Sequence, residues 1–117
     1  MKAGYCTFCD IIAKRLPSKI WYEDEEIIVF ENQLNWVPVQ MLFVPKQHLT
    51  QSELLQNGTL LARLGELTVK FGDERCPNGF RTVSNFGSDA MQSQPHGHIH
   101  VLGGTHLGLY LRRPAHE

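Results

Sequence analysis

A strong charge of either sign is absent from this chain: 11 basic residues stand against 12 acidic ones, for a formal net charge of −1 among 117 residues. So weak an overall field excludes a protein that is held to nucleic acid or to a membrane surface by its total charge. We therefore expect neither nucleic acid nor a membrane among its partners. Any site that binds phosphate must therefore depend on groups at that site and not on the overall charge.

Long hydrophobic runs are also missing, because no stretch of the sequence reaches the length needed to cross a bilayer. Lys2 stands alone near the start, and Asp10 follows within the first dozen positions, which is not the pattern of a secretory signal. The sequence therefore predicts a cytoplasmic protein. Cysteine is scarce, and its odd count of three in such a chain predicts reduced thiols. The close pair Cys6 and Cys9 favours metal binding over a disulfide.

The remaining sequence indicates one domain, with a core at about 6–104, a short C-terminal tail at 105–117, and no internal repeat. Two helices are predicted, a short one at 10–15 and a long amphipathic one at 54–71. Four strands are predicted at 19–22, 27–30, 41–44 and 80–85, and a fifth begins at His96. Strands joined by hairpins and long loops, with one long helix, indicate an α+β domain with a five-stranded antiparallel sheet. Its open edges favour a homodimer.

Three histidines, His96, His98 and His100, alternate in an apolar segment near the end of the chain. In an extended strand alternate side chains share one face, so the three imidazoles would form a row. Pro95 and the neighbouring β-branched residues favour the strand over a helix. Three interpretations of such a row are open: buried histidines without chemistry, a metal site, or a nucleophile that attacks phosphorus. Spacing alone does not choose between the last two.

Four separated motifs resemble the histidine triad (HIT) family of nucleotide-binding hydrolases and transferases. They are the Cys-Thr-Phe-Cys segment with Asp-Ile-Ile after it, at 6–12; Phe-Val-Pro-Lys-Gln-His, at 43–48; Asn-Phe-Gly-Ser-Asp followed by Gln-Ser, within 85–93; and the triad itself, His-Gly-His-Ile-His-Val-Leu, at 96–102. The resemblance implies an α+β domain whose sheet continues into that of a second copy.

The resemblance also implies a mechanism. His98 would attack the α-phosphate of a nucleoside phosphoramidate, an acyl-adenylate or a dinucleoside polyphosphate, and water would hydrolyse the resulting nucleotidyl-histidine. His100 would orient His98, and His96 would lie at the edge of the row. An AMP-like purine nucleotide is the implied ligand. Its phosphate and ribose would be held by the side chains of Asn32, Asn85 and Gln92. Ser93 would hydrogen-bond the phosphate or the leaving group and so take part in catalysis, although such residues in loops are more often turn formers.

The N-terminal cysteine pair resembles that of HIT proteins in which two cysteines and two histidines form a four-ligand zinc site. The implied ligands are Cys6, Cys9, His48 and His96, a closed tetrahedral set in which Zn²⁺ would be structural. The alternative is a pair of free thiols beside a surface His48.

Two positions depart from the family pattern. Gln40 occupies a place where the family often has a histidine, which predicts slower or altered turnover because an amide cannot take up a proton near neutrality. Gly97 stands where an apolar residue is usual, which predicts a looser strand with one core contact fewer. The sequence thus predicts a HIT-type nucleotidyl hydrolase or phosphoramidase. The rival interpretations are a non-catalytic, nucleotide-binding and zinc-stabilised interaction protein, and a nucleotidyl transferase.

Overall fold

The computed structural model describes residues 6–32 and 37–109, so most of the predicted tail lies outside the described part. Within these described residues the chain forms three α-helices: α1 (Thr7–Ile12), α2 (Gln51–Gln56) and α3 (Gly58–Arg75). The same part of the chain has five strands, which form one sheet: β1 (Ile20–Glu23), β2 (Ile27–Glu31), β3 (Val39–Pro45), β4 (Phe80–Val83) and β5 (Ile99–Gly103). None of the described helices is both long and apolar enough to pass through a bilayer.

The sheet has the order β1-β2-β3-β5-β4, and every neighbouring pair is antiparallel. The predicted α+β class and the five-stranded antiparallel sheet are therefore confirmed. Strand β2 is buried on both faces because helices cover both sides of the sheet, and its residues from Ile27 to Phe30 are at most 2% exposed. A run buried on both faces is apolar throughout and does not alternate.

Each face of the sheet carries its own apolar cluster. Helix α3 packs its leucines against one face, where the core consists of Ile27, Val29, Met41, Phe43, Leu54, Leu60, Leu64, Leu67 and Val101. Helix α1 covers the other face, where the core consists of Cys6, Phe8, Ile11, Ile28, Phe30, Leu42 and Val44. The α1 face is also the face on which the histidines lie, because His98 contacts the ring of Phe8.

Two predicted helices differ from the observed ones. The first begins three residues earlier than predicted, because Cys6 caps it: the Cys6 Sγ accepts a hydrogen bond of 3.4 Å from the backbone N–H of Cys9. The single helix predicted at 54–71 is two helices that meet at Asn57. Asn57 ends α2, where its backbone N–H donates a hydrogen bond to Leu54 O, and its side chain starts α3 by accepting one from Leu60 N–H.

The start of α2 is fixed by a capping box. The Thr50 hydroxyl accepts a hydrogen bond from the backbone N–H of Glu53, and the Glu53 carboxylate accepts one from the backbone N–H of Thr50. This cap places Gln51, the first residue of α2, next to the histidine segment. The Thr-x-x-Glu pattern is visible in the sequence and marks the helix start three residues before the predicted one.

Gly97 does not loosen the chain as the sequence predicts. Its backbone N–H donates a 2.7 Å hydrogen bond to Leu49 O, and a Cβ at this position would lie 3.0 Å from Thr50 O and 3.1 Å from Leu54 Cβ. The missing side chain is therefore what allows the start of α2 to approach the histidine segment closely.

Candidate active site and metal site

A pocket on the α1 face of the sheet contains two of the three triad histidines. It is lined by Phe8, Asn32, Leu42, Ser93, Gln94, His98 and His100. The strand that was predicted to carry all three histidines begins only at Ile99, so His96 and His98 precede it. Their side chains still alternate towards one face, because Phe8 contacts the rings of both His96 and His98. The predicted row of imidazoles is therefore present, although its first half is not regular strand.

His98 is held in a defined orientation. Its side chain is buried, and its Nδ1 lies 2.7 Å from the backbone oxygen of His96. A carbonyl can only accept, so Nδ1 carries the proton and Nε2 is the unprotonated nitrogen of the neutral ring. Burial lowers the pKa of His98, against the opposing effect of the hydrogen bond to the His96 carbonyl. The ring is thus a neutral imidazole with a nucleophilic Nε2.

His100 is the neighbour of His98 in the row. The two ring centroids are 4.9 Å apart and the ring planes meet at 64°. Burial lowers the pKa of His100 to about 4, and the adjacent His98 adds to this effect. Both rings are therefore neutral at pH 7, so no second positive charge opposes a charge that develops on His98.

Hydrogen bonds within the loop between β4 and the histidines hold the loop in shape. Oε1 of Gln92 accepts a 2.8 Å hydrogen bond from the N–H of Gly87, and Nε2 of Gln92 donates one of 2.9 Å to Gln94 O. Gly87 has φ +80°, a conformation that favours glycine. Both ends of the Gln92 amide are thus engaged in the loop. These bonds hold the shape of the loop that leads to Ser93, and the expected contact of Gln92 with a nucleotide stays a prediction.

The four polar residues expected around the nucleotide occupy different places. Asn32 and Ser93 line the pocket with His98. Asn85 follows β4, and its backbone oxygen accepts a 3.2 Å hydrogen bond from Nε2 of Gln51. Gln51 is a residue that the sequence analysis missed, because a glutamine at a helix start carries no signal of its own. Phe8 was missed too, although it lies between two cysteines that had been singled out.

The four predicted metal ligands come together beside this pocket. Their ligand atoms, from Cys6, Cys9, His48 and His96, all lie within 4.8 Å of one another. Sγ of Cys9 is 3.2 Å from Nδ1 of His48 and 3.5 Å from Nδ1 of His96, and Sγ of Cys6 is also 3.5 Å from that nitrogen. Zn–S and Zn–N bonds at tetrahedral angles place sulfur and nitrogen about 3.6 Å apart, so the spacing fits this metal.

The chemistry of the donor set fits a cation as well. Burial raises the pKa of the Cys9 thiol to about 11, and the neighbouring Cys6 and Asp10 add to the rise. A bound metal ion would reverse this effect by stabilising the thiolate. Nε2 of His96 donates a 2.7 Å hydrogen bond to Pro45 O. Nδ1 is then unprotonated, and its electron pair is available to a metal ion beside the cysteines. The described residues can therefore hold a metal through two sulfur and two nitrogen atoms.

Comparisons with known proteins identify the family of this chain. The profile of a family described as "Scavenger mRNA decapping enzyme C-term binding" matches residues 5–116. An uncharacterized HIT-like protein of Chlamydia trachomatis is 39% identical over 93 residues, which cover 74% of this chain and 81% of that protein. The chain belongs to the HIT family. Protein HitA of Neisseria gonorrhoeae is 31% identical over 106 residues, 84% of this chain and 94% of its own length.

Solved HIT structures share the whole fold. A HIT family hydrolase from Clostridium thermocellum superposes with a TM-score of 0.83 at 32% identity, covering 92% of this chain and 96% of its own. A histidine triad protein from Clostridium difficile gives 0.82 at 30% identity, with 91% and 96% covered. The α+β fold of this HIT protein is therefore that of proteins which include named hydrolases.

Proposed function

We propose that this HIT protein is a nucleotidyl hydrolase that cleaves nucleoside phosphoramidates, or related nucleotides with a leaving group on the α-phosphate, through a nucleotidyl-His98 intermediate. The single observation that carries the proposal is the 2.7 Å hydrogen bond from Nδ1 of His98 to His96 O. It selects the tautomer in which Nε2 has the free electron pair. A neutral, oriented imidazole is a competent nucleophile at phosphorus.

The proposed reaction has two displacements. In the first, Nε2 of His98 attacks the α-phosphorus, the bond from phosphorus to the leaving nitrogen breaks, and the amine departs with a proton that solvent supplies through the Ser93 hydroxyl. The nucleotidyl-imidazole keeps its Nδ1 proton and is positively charged, and the His96 carbonyl stabilises that charge. In the second, water attacks phosphorus and releases a proton to solvent, and the bond from phosphorus to Nε2 breaks, which returns the electron pair to Nε2 and leaves His98 neutral. Asn32 would bind the ribose, and Asn85 a phosphate oxygen, of an AMP-like purine nucleotide.

The metal in this proposal is a structural Zn²⁺ held by Cys6, Cys9, His48 and His96. Four protein ligands leave no open position, so it would stabilise the fold and take no part in the chemistry. It would join α1 to the segment that carries His98.

A homodimer is the proposed assembly. Strands β1 and β4 lie at the two ends of the sheet, and an edge strand has unpaired backbone groups that a second copy can pair with. Sedimentation equilibrium would show a species of twice the chain mass.

The test of the hydrolase proposal uses adenosine phosphoramidate and an adenylated lysine with the wild-type protein, His98→Ala and His106→Ala. Rapid quenching of the wild type should trap a phosphorus–nitrogen adduct, and His98→Ala should lose activity by at least about a thousandfold. His106 lies in the segment after β5 and is exposed, so its variant should keep wild-type activity.

The same experiment separates the rival functions. Wild-type protein that binds AMP and releases no product would be a binding protein. Formation of a nucleoside diphosphate when phosphate is present would show a transferase. Undiminished turnover by His98→Ala would disprove the proposed nucleophile.

A further inference from the structure

The amide of Gln51 lies between the two segments that carry the proposed phosphate-binding residues. Its side chain is only 3% exposed. Oε1 accepts a 2.7 Å hydrogen bond from the backbone N–H of His98, and Nε2 donates one of 3.2 Å to the backbone oxygen of Asn85. One side-chain amide thus joins two backbones, and both of its ends are engaged.

The role of this amide follows from its position beside the end of the pairing between β4 and β5. Strands β4 and β5 pair as far as Val83 opposite His100, and the same antiparallel register would bring Asn85 opposite His98. A direct bond from His98 N–H to Asn85 O would extend the ladder there. The Gln51 amide occupies that gap with one acceptor and one donor, as a peptide group would. The two segments therefore diverge without leaving their buried polar groups unsatisfied.

The segment that leads into α2 is in close contact with Gly97, next to this bridge. Gly97 donates to Leu49 O at 2.7 Å, and a Cβ on Gly97 would be 3.0 Å from Thr50 O. The capping box of Thr50 and Glu53 fixes the start of α2, and with it the direction in which the Gln51 side chain projects from the helix. The bridge is thus held by a rigid helix start and has little freedom to shift.

We propose that Gln51 is a positioning residue for the reaction at His98. It sets the separation between the His98 backbone and the Asn85 segment, and so aligns Nε2 of His98 with a phosphorus atom whose oxygens Asn85 would hold. Gln51 itself does not touch the nucleotide. The inference rests on the proposed hydrolase function, because the alignment matters only for a displacement at phosphorus.

The experiment compares Gln51→Met and Gln51→Glu with Gln56→Met and Gln56→Glu, which change the exposed glutamine at the end of the same helix. In Gln51→Met the bridge is absent and the two segments can close on each other. We expect kcat for adenosine phosphoramidate to fall about 100-fold, as for small misplacements of a reacting group, while KM stays within about threefold. Both Gln56 variants should behave as the wild type.

Gln51→Glu supplies a readout that a purely structural role would not give. A carboxylate accepts from His98 N–H but repels Asn85 O, whereas the protonated acid has an O–H that can replace the amide N–H. Burial raises the pKa of such a carboxyl. We therefore expect kcat of Gln51→Glu, relative to the wild type and per folded molecule, to recover as the pH is lowered. In ¹⁵N spectra the His98 amide should shift in Gln51→Met and return towards its wild-type position in Gln51→Glu at low pH.

The outcomes distinguish this inference from the function on which it rests. If the wild type yields neither product nor adduct, the hydrolase proposal fails and the role of Gln51 fails with it. If the wild type is active and folded Gln51→Met keeps kcat within about threefold, or the Gln51→Glu rate ratio is independent of pH, only the positioning role is disproved.

Discussion

His96 and His98 are joined by a 2.7 Å hydrogen bond between the backbone oxygen of the first and Nδ1 of the second. Nδ1 of His96 itself lies 3.5 Å from the sulfur atoms of Cys6 and Cys9. The residue that orients the proposed nucleophile is thus also a candidate metal ligand. Metal binding and the orientation of His98 therefore depend on the same segment of backbone.

Replacing either cysteine of the candidate metal site should remove the metal. We expect the wild type to bind one Zn²⁺ per chain, and Cys6→Ser and Cys9→Ser to lose most of it and to melt at a lower temperature, because the binding free energy of a structural zinc contributes to folding. Metal analysis and thermal unfolding measure both effects. Cys76→Ser is the matched control, since this buried cysteine is not among the four ligands. Equal metal content in all variants would exclude the site.

The rate of the first displacement should be nearly independent of pH from about 8 down to the ordinary histidine pKa near 6.5. Burial lowers the pKa of His98, and it lowers that of His100 to about 4, so both rings stay neutral over this range. A steep fall in kcat/KM with a midpoint above 6.5 would contradict the burial of these rings.

Stability should decrease when the pH falls below about 6.5, where unfolded histidine begins to take up a proton. His100 keeps a pKa of about 4 in the folded protein, so its contribution to stability is complete above 6.5 and is lost as the pH falls towards 4. Denaturant unfolding at several pH values measures this. In His100→Gln the dependence should be weaker.

Ser93→Ala should slow substrates with poor leaving groups most. Ser93 lines the pocket with His98, and the proposed role of its hydroxyl is to pass a proton to the leaving amine. We expect a loss of about 100-fold with a phosphoramidate, in the range of general acid catalysis, and a much smaller loss with an aryl ester that leaves without a proton. Ser88→Ala, in the exposed turn of the same loop, is the control. Equal losses on both substrates would contradict the role.

Two glycines of α3 should respond in opposite directions to alanine. A Cβ on Gly72 would overlap the ring of Phe80, whereas a Cβ on Gly65 would have no neighbour within 4 Å. We expect Gly72→Ala to destabilise the protein by about 1–3 kcal/mol through overpacking. Gly65→Ala should stabilise it by about 0.5–1 kcal/mol through helix propensity. Urea unfolding of both variants would show the contrast.

Much of the architecture could be predicted from the local pattern of apolar residues. The continuous apolar run of β2 and the helical spacing of the leucines of α3 identify their elements without any long-range information. The break at Asn57 was missed because leucines continue on both sides of it, and the local cap at Leu60 N–H outweighs that continuity. The histidine segment was predicted as strand from its alternation, but regular pairing begins only at Ile99.

The site was predictable to a lesser degree. The ligand set of two cysteines and two histidines came from the family resemblance, and the structure brings these residues together. Gln51 could not be found in this way, because its partners His98 and Asn85 are 47 and 34 positions away in the chain. Gln40 is buried, and its Nε2 donates to Val37 O at 2.9 Å, so this amide has a structural contact. Its effect on turnover stays a prediction.

Phe8 lies between Cys6 and Cys9, and its ring contacts both His96 and His98. One short peptide therefore supplies two of the candidate metal ligands and part of the wall of the pocket that holds His98. Under the proposed function, a chelator that removed the ion would slow turnover without competing with the substrate, because it would loosen the pocket wall from a distance.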